Sequence, residues 1–280
     1  QQGPPTSGSE IAYVLVSSSE DGTIKEWIFL KGTILCCTTL LNVRIPLWLS
    51  LRICGGLETL LGRSGDPSGG AGPNNVGGLP LPQKVPATSM HFRPGDKTTY
   101  LVGTAAGDVL LCRTFERERV GGVYEGHSAL VTRVSWRTTG EDANSIFLSA
   151  ALDDSIRVWH IDKPVPICVL KLVETVSGGY LDACWCPWYG NLIAGVHGGG
   201  LHLWDISLST HTPILTHQHP GATCVAFSPH TRNVVVGDSD GRLSVIHLEG
   251  LQLSASIFLR YSTKISKLAK IGVIPVDCSS

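Results

Sequence analysis

A chain of 280 residues with 42% hydrophobic and only 16% charged residues is long enough to bury one large core and has the balance of a sheet-rich globular protein. Its formal net charge of −1 supplies no field to draw it to nucleic acid or to an anionic membrane surface. Nine cysteines are an odd number, and Cys112, Cys168, Cys184, Cys186 and Cys224 fall in strand-like stretches, which argues for reduced, buried residues of an intracellular protein and against a disulfide framework.

The chain opens on Gln1 with no charged, apolar and small-residue succession of a signal peptide, and it is expected to be the C-terminal part of something longer. Residues 1–11 are turn-rich and expected to fray. The first hairpin spans 12–29, where two alternating apolar runs meet at Glu20-Asp21-Gly22. Residues 12–61 form a partial first blade with an apolar insertion. Stretch 33–51 is apolar enough to raise a membrane helix, which Arg44, Pro46 and Arg52 make costly. An outer strand with irregular packing and a foreign insertion are the other two readings. Stretch 62–86 is dominated by Gly, Pro, Asn and Ser and reads as a disordered loop. From 87 to 250 strands and tight turns alternate regularly, enough for four blades. The tail 251–280 loses the pattern, with a short basic helix near Ile265, Leu268, Ala269 and Ile271 as its best alternative.

Two repeats run in phase through this order. A tight polar turn followed by a strand returns in SSSEDGTIKEW, GTAAGDVLLC, SAALDDSIRVW, AGVHGGGLHLW and VGDSDGRLSVI, ending at Trp27, Cys112, Trp159, Trp204 and Ile246. The last three intervals are 47, 45 and 42 residues, the period of a propeller blade. ATSMHFRP, VTRVSWRT, LDACWCPW and TCVAFSPH stand about 20 residues upstream of such units, each an alternating strand with an aromatic near its end. The longer interval from Trp27 to Cys112 fits a degenerate extra blade or one long insertion, and its composition favours the insertion. The expected fold is an all-β propeller with an incomplete set of four to five blades. Such a set cannot close like a seven-bladed ring, so exposed edges and aggregation are expected.

Segment 127–162 carries the fullest polar set: His127, Ser149 on the second strand, Asp153 in the turn and Trp159 on the third strand. A buried carboxylate needs donors, and an imidazole, a hydroxyl and an indole supply them. A hydrolase reading of His, Ser and Asp lacks the strained G-x-S-x-G elbow. Other units keep parts of the set: Asp21 with Trp27, Trp204 with Asp205, and Asp240 without an aromatic at Ile246. Gly198 and Ala106 fill the Asp slot in their units, whose turns then depend on backbone geometry and whose blades should be looser. In GDSDG the EF-hand pattern fails at Val236 and His247, so Asp240 is expected to bond backbone in a β-turn. His211, His217 and His219, and Cys184 with Cys186, lack companions at metal-ligand spacing. No catalytic, cofactor or metal site is expected.

The His127, Ser149, Asp153 and Trp159 set resembles the WD-repeat family, in which matching residues lock each blade. Within that class, LVSSSEDGTIKEW, YLVGTAAGDVLLC, YEGHSALVTRVSW, IFLSAALDDSIRVWH and VVVGDSDGRLSVIHLEG resemble the dynein intermediate-chain family, most of all its axonemal inner-arm branch, over 12–29 and 87–250. Residues 28–62 and the tail beyond 251 depart from it. The resemblance implies a non-catalytic scaffold of cytoplasm, cytoskeleton and ciliary or flagellar axoneme. Its implied partners are a dynein heavy chain, a second intermediate chain and other dynein subunits. A general WD-repeat adaptor of a ubiquitin ligase or transport complex is the alternative.

Overall fold

The computed structural model describes residues 12–30, 33–44, 84–116, 120–140, 142–172 and 178–248. The expected fraying at 1–11, most of the 62–86 loop and the 251–280 tail lie outside them. The chain divides into two compact units, 1–87 and 88–280.

The first unit holds one sheet of three antiparallel strands, β1 (Ala12–Ser18), β2 (Thr23–Leu30) and β3 (Thr33–Asn42), in the order β1-β2-β3. The start of the apolar stretch is therefore a strand paired to the predicted hairpin. Among the described residues no helix is long and apolar enough to cross a membrane. The last three residues of the expected loop are ordered: Lys84 bridges Arg44, and Val85 is buried and donates its amide to the Val43 carbonyl at 3.2 Å.

The second unit is four antiparallel meanders, each laid down in chain order. The second sheet has β4 (Ala87–Phe92), β5 (Thr99–Thr104), β6 (Val109–Arg113) and β7 (Gly122–Tyr124). The third has β8 (Val131–Trp136), β9 (Ile146–Ala151), β10 (Ser155–His160) and β11 (Cys168–Lys171). The fourth has β12 (Tyr180–Trp185), β13 (Leu192–His197), β14 (Gly200–Asp205) and β15 (Leu215–Gln218). The fifth has three among the described residues, β16 (Ala222–Phe227), β17 (Asn233–Asp238) and β18 (Leu243–His247). Each of these sheets packs on the next, β5 on β8, β12 on β8 and β9, and β16 on β12 and β13.

The core is three apolar layers between these sheets. Leu101, Val109, Val131, Val134 and Phe147 fill the first, Ile146, Leu148, Ile156, Ala183 and Ile193 the second, and Leu192, Val196, Leu201, Leu203, Val225 and Val234 the third. Central strands are therefore buried on both faces: every residue of β5, β9, β13 and β14 is buried. That explains why IFLSAA and GLHLW read as continuous apolar runs while the first strand of each sheet alternates.

The tight turns share one requirement, a residue in the left-handed region before the outgoing strand. Gly22, Gly107, Gly199 and Gly241 supply it with φ of 72°, 96°, 76° and 80°. The third sheet places Asp154 there instead, at φ 63°. A non-glycine residue in that conformation costs on the order of 1 kcal/mol. The compensation is its carboxylate, which reaches the fourth sheet: Oδ1 accepts from the Gly179 amide at 3.0 Å and meets His197 Nε2 at 2.8 Å.

Candidate functional site

The four residues singled out in 127–162 meet in one place. His127 Nδ1 lies 3.0 Å from both oxygens of Asp153, and its Nε2 lies 2.7 Å from Ser149 Oγ. Trp159 Nε1 donates to the same Ser149 Oγ at 2.8 Å. The order of donation follows: indole N–H to serine oxygen, serine O–H to imidazole Nε2, imidazole Nδ1–H to carboxylate. β9 and β10 carry Ser149 and Trp159, and the loop into β8 carries His127. One polar chain thereby ties three segments of the third sheet. A Cβ at Gly126 would stand 2.9 Å from Arg157 Nη1 and 3.2 Å from the Trp159 ring, so a side chain there would have to displace the arginine.

Asp153 has more partners than the sequence suggested. It also accepts from the Ser128 amide at 3.1 Å, the Ser155 amide at 3.2 Å and the Ser155 hydroxyl at 2.7 Å. Burial alone would raise its pKa, but hydrogen bonds from His127 and Ser155 outweigh that and hold the carboxyl well below the ordinary carboxylate range. Ser149 is fully buried and its oxygen lies between an imidazole and an indole. The trio therefore closes on itself, with no face through which a substrate could reach the hydroxyl.

The other marker residues are not gathered into comparable sets. In the first sheet Trp27 Nε1 donates to Ser17 Oγ at 2.9 Å, the same pair as Trp159 with Ser149, and Asp21 Oδ1 accepts from the Thr23 amide at 2.8 Å. Trp204 is fully buried and its indole faces the Tyr180 hydroxyl, not a serine as in the third sheet, while Asp205 serves a different turn, accepting from Tyr189 and the Ser207 amide at 3.1 and 2.9 Å. Asp240 corrects the expectation made of it. Its carboxylate is exposed and pairs with Arg242 Nη1 at 3.2 Å, whereas Asp238 Oδ1 bonds the turn backbone, accepting from the amides of Asp240 and Arg242 at 3.0 and 2.8 Å. Nor does Gly198 fill an Asp slot. His197 pairs directly with Gly200, so this hairpin is one residue shorter and the slot does not exist. At Ala106 the closing group is the Thr104 hydroxyl, which accepts from the Asp108 amide at 3.1 Å. The fourth sheet lacks the carboxylate, and its strands β13 and β14 are buried throughout.

Sequence reasoning missed a second set of polar contacts, which join one sheet to the next at repeating positions. The Trp136 indole donates to the His91 carbonyl at 3.1 Å, and the Trp185 indole donates to the Ser135 carbonyl at 3.2 Å. Ser89 Oγ accepts the Val134 amide at 3.1 Å, and Asp182 Oδ2 accepts the Val225 amide at 2.9 Å. The Thr88 hydroxyl donates to the Val131 carbonyl, and the Thr132 hydroxyl to the Tyr180 carbonyl at 2.7 Å. Arg93 lies over the Trp136 ring at 5.7 Å and Arg137 over the Trp185 ring at 5.8 Å. The signal was present in the recurring aromatic of ATSMHFRP, VTRVSWRT and LDACWCPW, which marked a strand end without revealing that the ring belongs to the junction.

Among the described residues no three metal-type ligands are gathered. Burial pushes the thiols of Cys112, Cys168, Cys184 and Cys186 up to about 12, so they are apolar filler and not thiolates. Cys224, expected among the buried ones, is exposed.

Comparison with known proteins agrees with this geometry. The WD domain, G-beta repeat family (WD40) matches residues 119–160 and 209–247. Dynein axonemal intermediate chain 4 of Mus musculus is 29% identical over 254 residues, 90% of this chain and 28% of the relative. The Homo sapiens protein of that name is 28% identical over 90% of this chain and 27% of its own length. The Danio rerio protein is 28% identical over 85% of this chain and 26% of its own length. The chain thus spans under a third of the curated relatives it matches. A chain of the crystal structure of the mitotic checkpoint complex superposes with a TM-score of 0.56 over 84% of this chain and 59% of its own, at 16% identity, which bears on the fold alone. The chain thus matches the WD40 repeat over 119–160 and 209–247, has a β-propeller-like fold and is similar in sequence to dynein axonemal intermediate chain 4.

Proposed function

We propose that this chain is a non-catalytic scaffold, an intermediate-chain subunit of axonemal dynein that supports motor assembly and ciliary or flagellar motility. The observation that carries the proposal is the sequence similarity to dynein axonemal intermediate chain 4 of mouse and human across 90% of the chain. The polar cluster supports the non-catalytic part, because every member of it is spent on holding the third sheet together. The partners on this account are a dynein heavy chain, a second intermediate chain and further dynein subunits, and the location is the axoneme.

Affinity purification of the tagged chain from extracts of motile cilia tests this. Dynein heavy chain and a second intermediate chain should elute with it in near-stoichiometric amounts. Elution without any heavy chain, together with a diffuse cytosolic or nuclear signal of the tagged protein in ciliated cells, would overturn the proposal in favour of a general WD-repeat adaptor.

A further inference from the structure

Beside β14 and β15 the fourth sheet has a cavity of about 310 Å³, and histidines set its chemistry. His197, His202, His211, Thr216 and Gln218 line it, with Leu172 from the end of the third sheet as an apolar wall. Cross-strand register sets His202 opposite Thr216 and Gly200 opposite Gln218. Five of the chain's ten histidines fall between 197 and 219, and from 206 to 237 the sequence holds no Asp, Glu or Lys and one arginine, Arg232. The charge of this surface therefore follows its imidazoles.

His202 is buried yet weakly held. Its Nε2 donates to the His197 carbonyl at 3.3 Å, which leaves Nδ1 to accept from the Thr216 hydroxyl at 3.3 Å, both at the long end of the range. Burial lowers its pKa below 6.5, against the His197 carbonyl, which raises it. An anion in the cavity would offset that burial and favour the charged ring. No carboxylate already placed here does so. Asp154 is spent on the Gly179 amide and on His197 Nε2, whose ring also lies 4.9 Å from Tyr180, and Asp205 is spent on Tyr189 and Ser207. Lys171 at the end of β11 and His217 on β15 are exposed, and any charge they carry is positive.

The strand beside the cavity offers backbone as well. β15 is the outermost strand of its sheet, pairs with β14 alone among the described residues, and is exposed at all four positions. It carries neither the lysine nor the proline that guards an exposed edge, whereas β11 ends on Lys171. We propose that the edge of β15 and the cavity behind it dock an extended acidic peptide. The peptide backbone pairs with β15, and alternate side chains fall on the face of Thr216 and Gln218. One carboxylate enters the cavity, where it accepts from His211, from the Thr216 hydroxyl and from His202, which takes up a proton at Nδ1. Charge complementarity, and not the dynein assignment, supports this.

Fluorescence anisotropy on the full chain tests it, with fluorescein-labelled octapeptides that alternate Val with Glu, Gln or Lys. The Val/Glu peptide should bind saturably, and about tenfold more tightly at pH 6.0 than at pH 7.5, because the protonated imidazole is the form an anion favours. The Val/Gln peptide should bind more weakly and without that pH dependence, and the Val/Lys peptide should not bind. His211→Asp, at an exposed position, puts a carboxylate beside the cavity and should weaken the Val/Glu peptide at least about tenfold at pH 6.0. Leu208→Asp, 64% exposed on the same loop but outside the cavity, should change it less than about threefold. Circular dichroism establishes that both variants are folded. No saturable binding of the Val/Glu peptide, equal binding of the Val/Lys peptide, an affinity that is flat or falls on acidification, or equal losses in the two variants would each overturn the proposal.

Discussion

The third and fourth sheets hold their strands by different means. The third has a buried polar chain from Trp159 through Ser149 and His127 to Asp153. The fourth has none of it: Gly195 pairs where Ser149 would stand, the hairpin is a residue shorter, and the Trp204 indole faces the Tyr180 hydroxyl instead of a serine. Yet β13 and β14 are buried at every position. Apolar faces and junction bonds therefore pack a sheet, and the polar chain does something narrower. It fixes the loop carrying His127 and Ser128 against the turn carrying Asp153, at the end of the sheet where backbone groups would otherwise lack partners.

The largest break in that comparison comes from the carboxylate. Asp153→Ala leaves His127, Ser128 and Ser155 without their acceptor and should lower unfolding stability by about 3–5 kcal/mol in a urea titration. Asp240→Ala, at the same place in the fifth sheet but exposed, should change it by less than about 0.5 kcal/mol. Similar losses at both would mean that the turn, not the polar chain, matters.

Next comes the apolar face, covered by the fifth sheet at Leu203, 0% exposed, and open at Val245, 65% exposed. Leu203→Ala should cost about 2–4 kcal/mol in the same titration, whereas Val245→Ala at the equivalent position should cost under about 0.5 kcal/mol in the chain alone. Equal effects would show that something covers the fifth sheet already. A smaller contrast concerns the indoles. Trp159→Phe leaves ring packing but removes the donor to Ser149 and should cost about 1–2 kcal/mol, and Trp204→Phe, whose indole faces the Tyr180 hydroxyl but belongs to no polar chain, less than that.

The smallest effects are in pH. Asp153 has a depressed folded pKa, so its contribution is present above the unfolded value near 3.8 and is lost as pH falls below it. The stability gap between the wild type and Asp153→Asn should shrink on going from pH 7 to pH 3. Burial, with the Arg133 charge adding to it, lowers the His91 pKa below 6.5, and its Nδ1 accepts the Trp136 amide at 2.9 Å. The neutral imidazole is the stabilising form, so the advantage over His91→Leu is full above pH 6.5 and falls as the solution is acidified towards pH 5.

Much of the fold could be read because the repeat has two markers per sheet, and the clustering of His127, Ser149, Asp153 and Trp159 followed from chemistry that only a mutual arrangement satisfies. What escaped were features set by register. A single missing residue in the His197–Gly200 hairpin deletes the slot that a gap-free alignment gave to Gly198. The neighbouring acidic residues of GDSDG compete for one turn, and Asp238 wins because its side chain faces the amides of Asp240 and Arg242. Contacts between sheets join residues about 45 positions apart, such as Trp136 with His91, and no local pattern exposes them. Exposure of Cys224 was hidden for the same reason, since burial there depends on a neighbour and not on the strand itself.

Native-state hydrogen exchange followed by mass spectrometry most directly tests the claim that each sheet is held by the next. Amides of β18, whose outer face is open, should exchange at least about tenfold faster than those of β14, the equivalent strand one sheet earlier. Equal protection of the two strands would contradict the account.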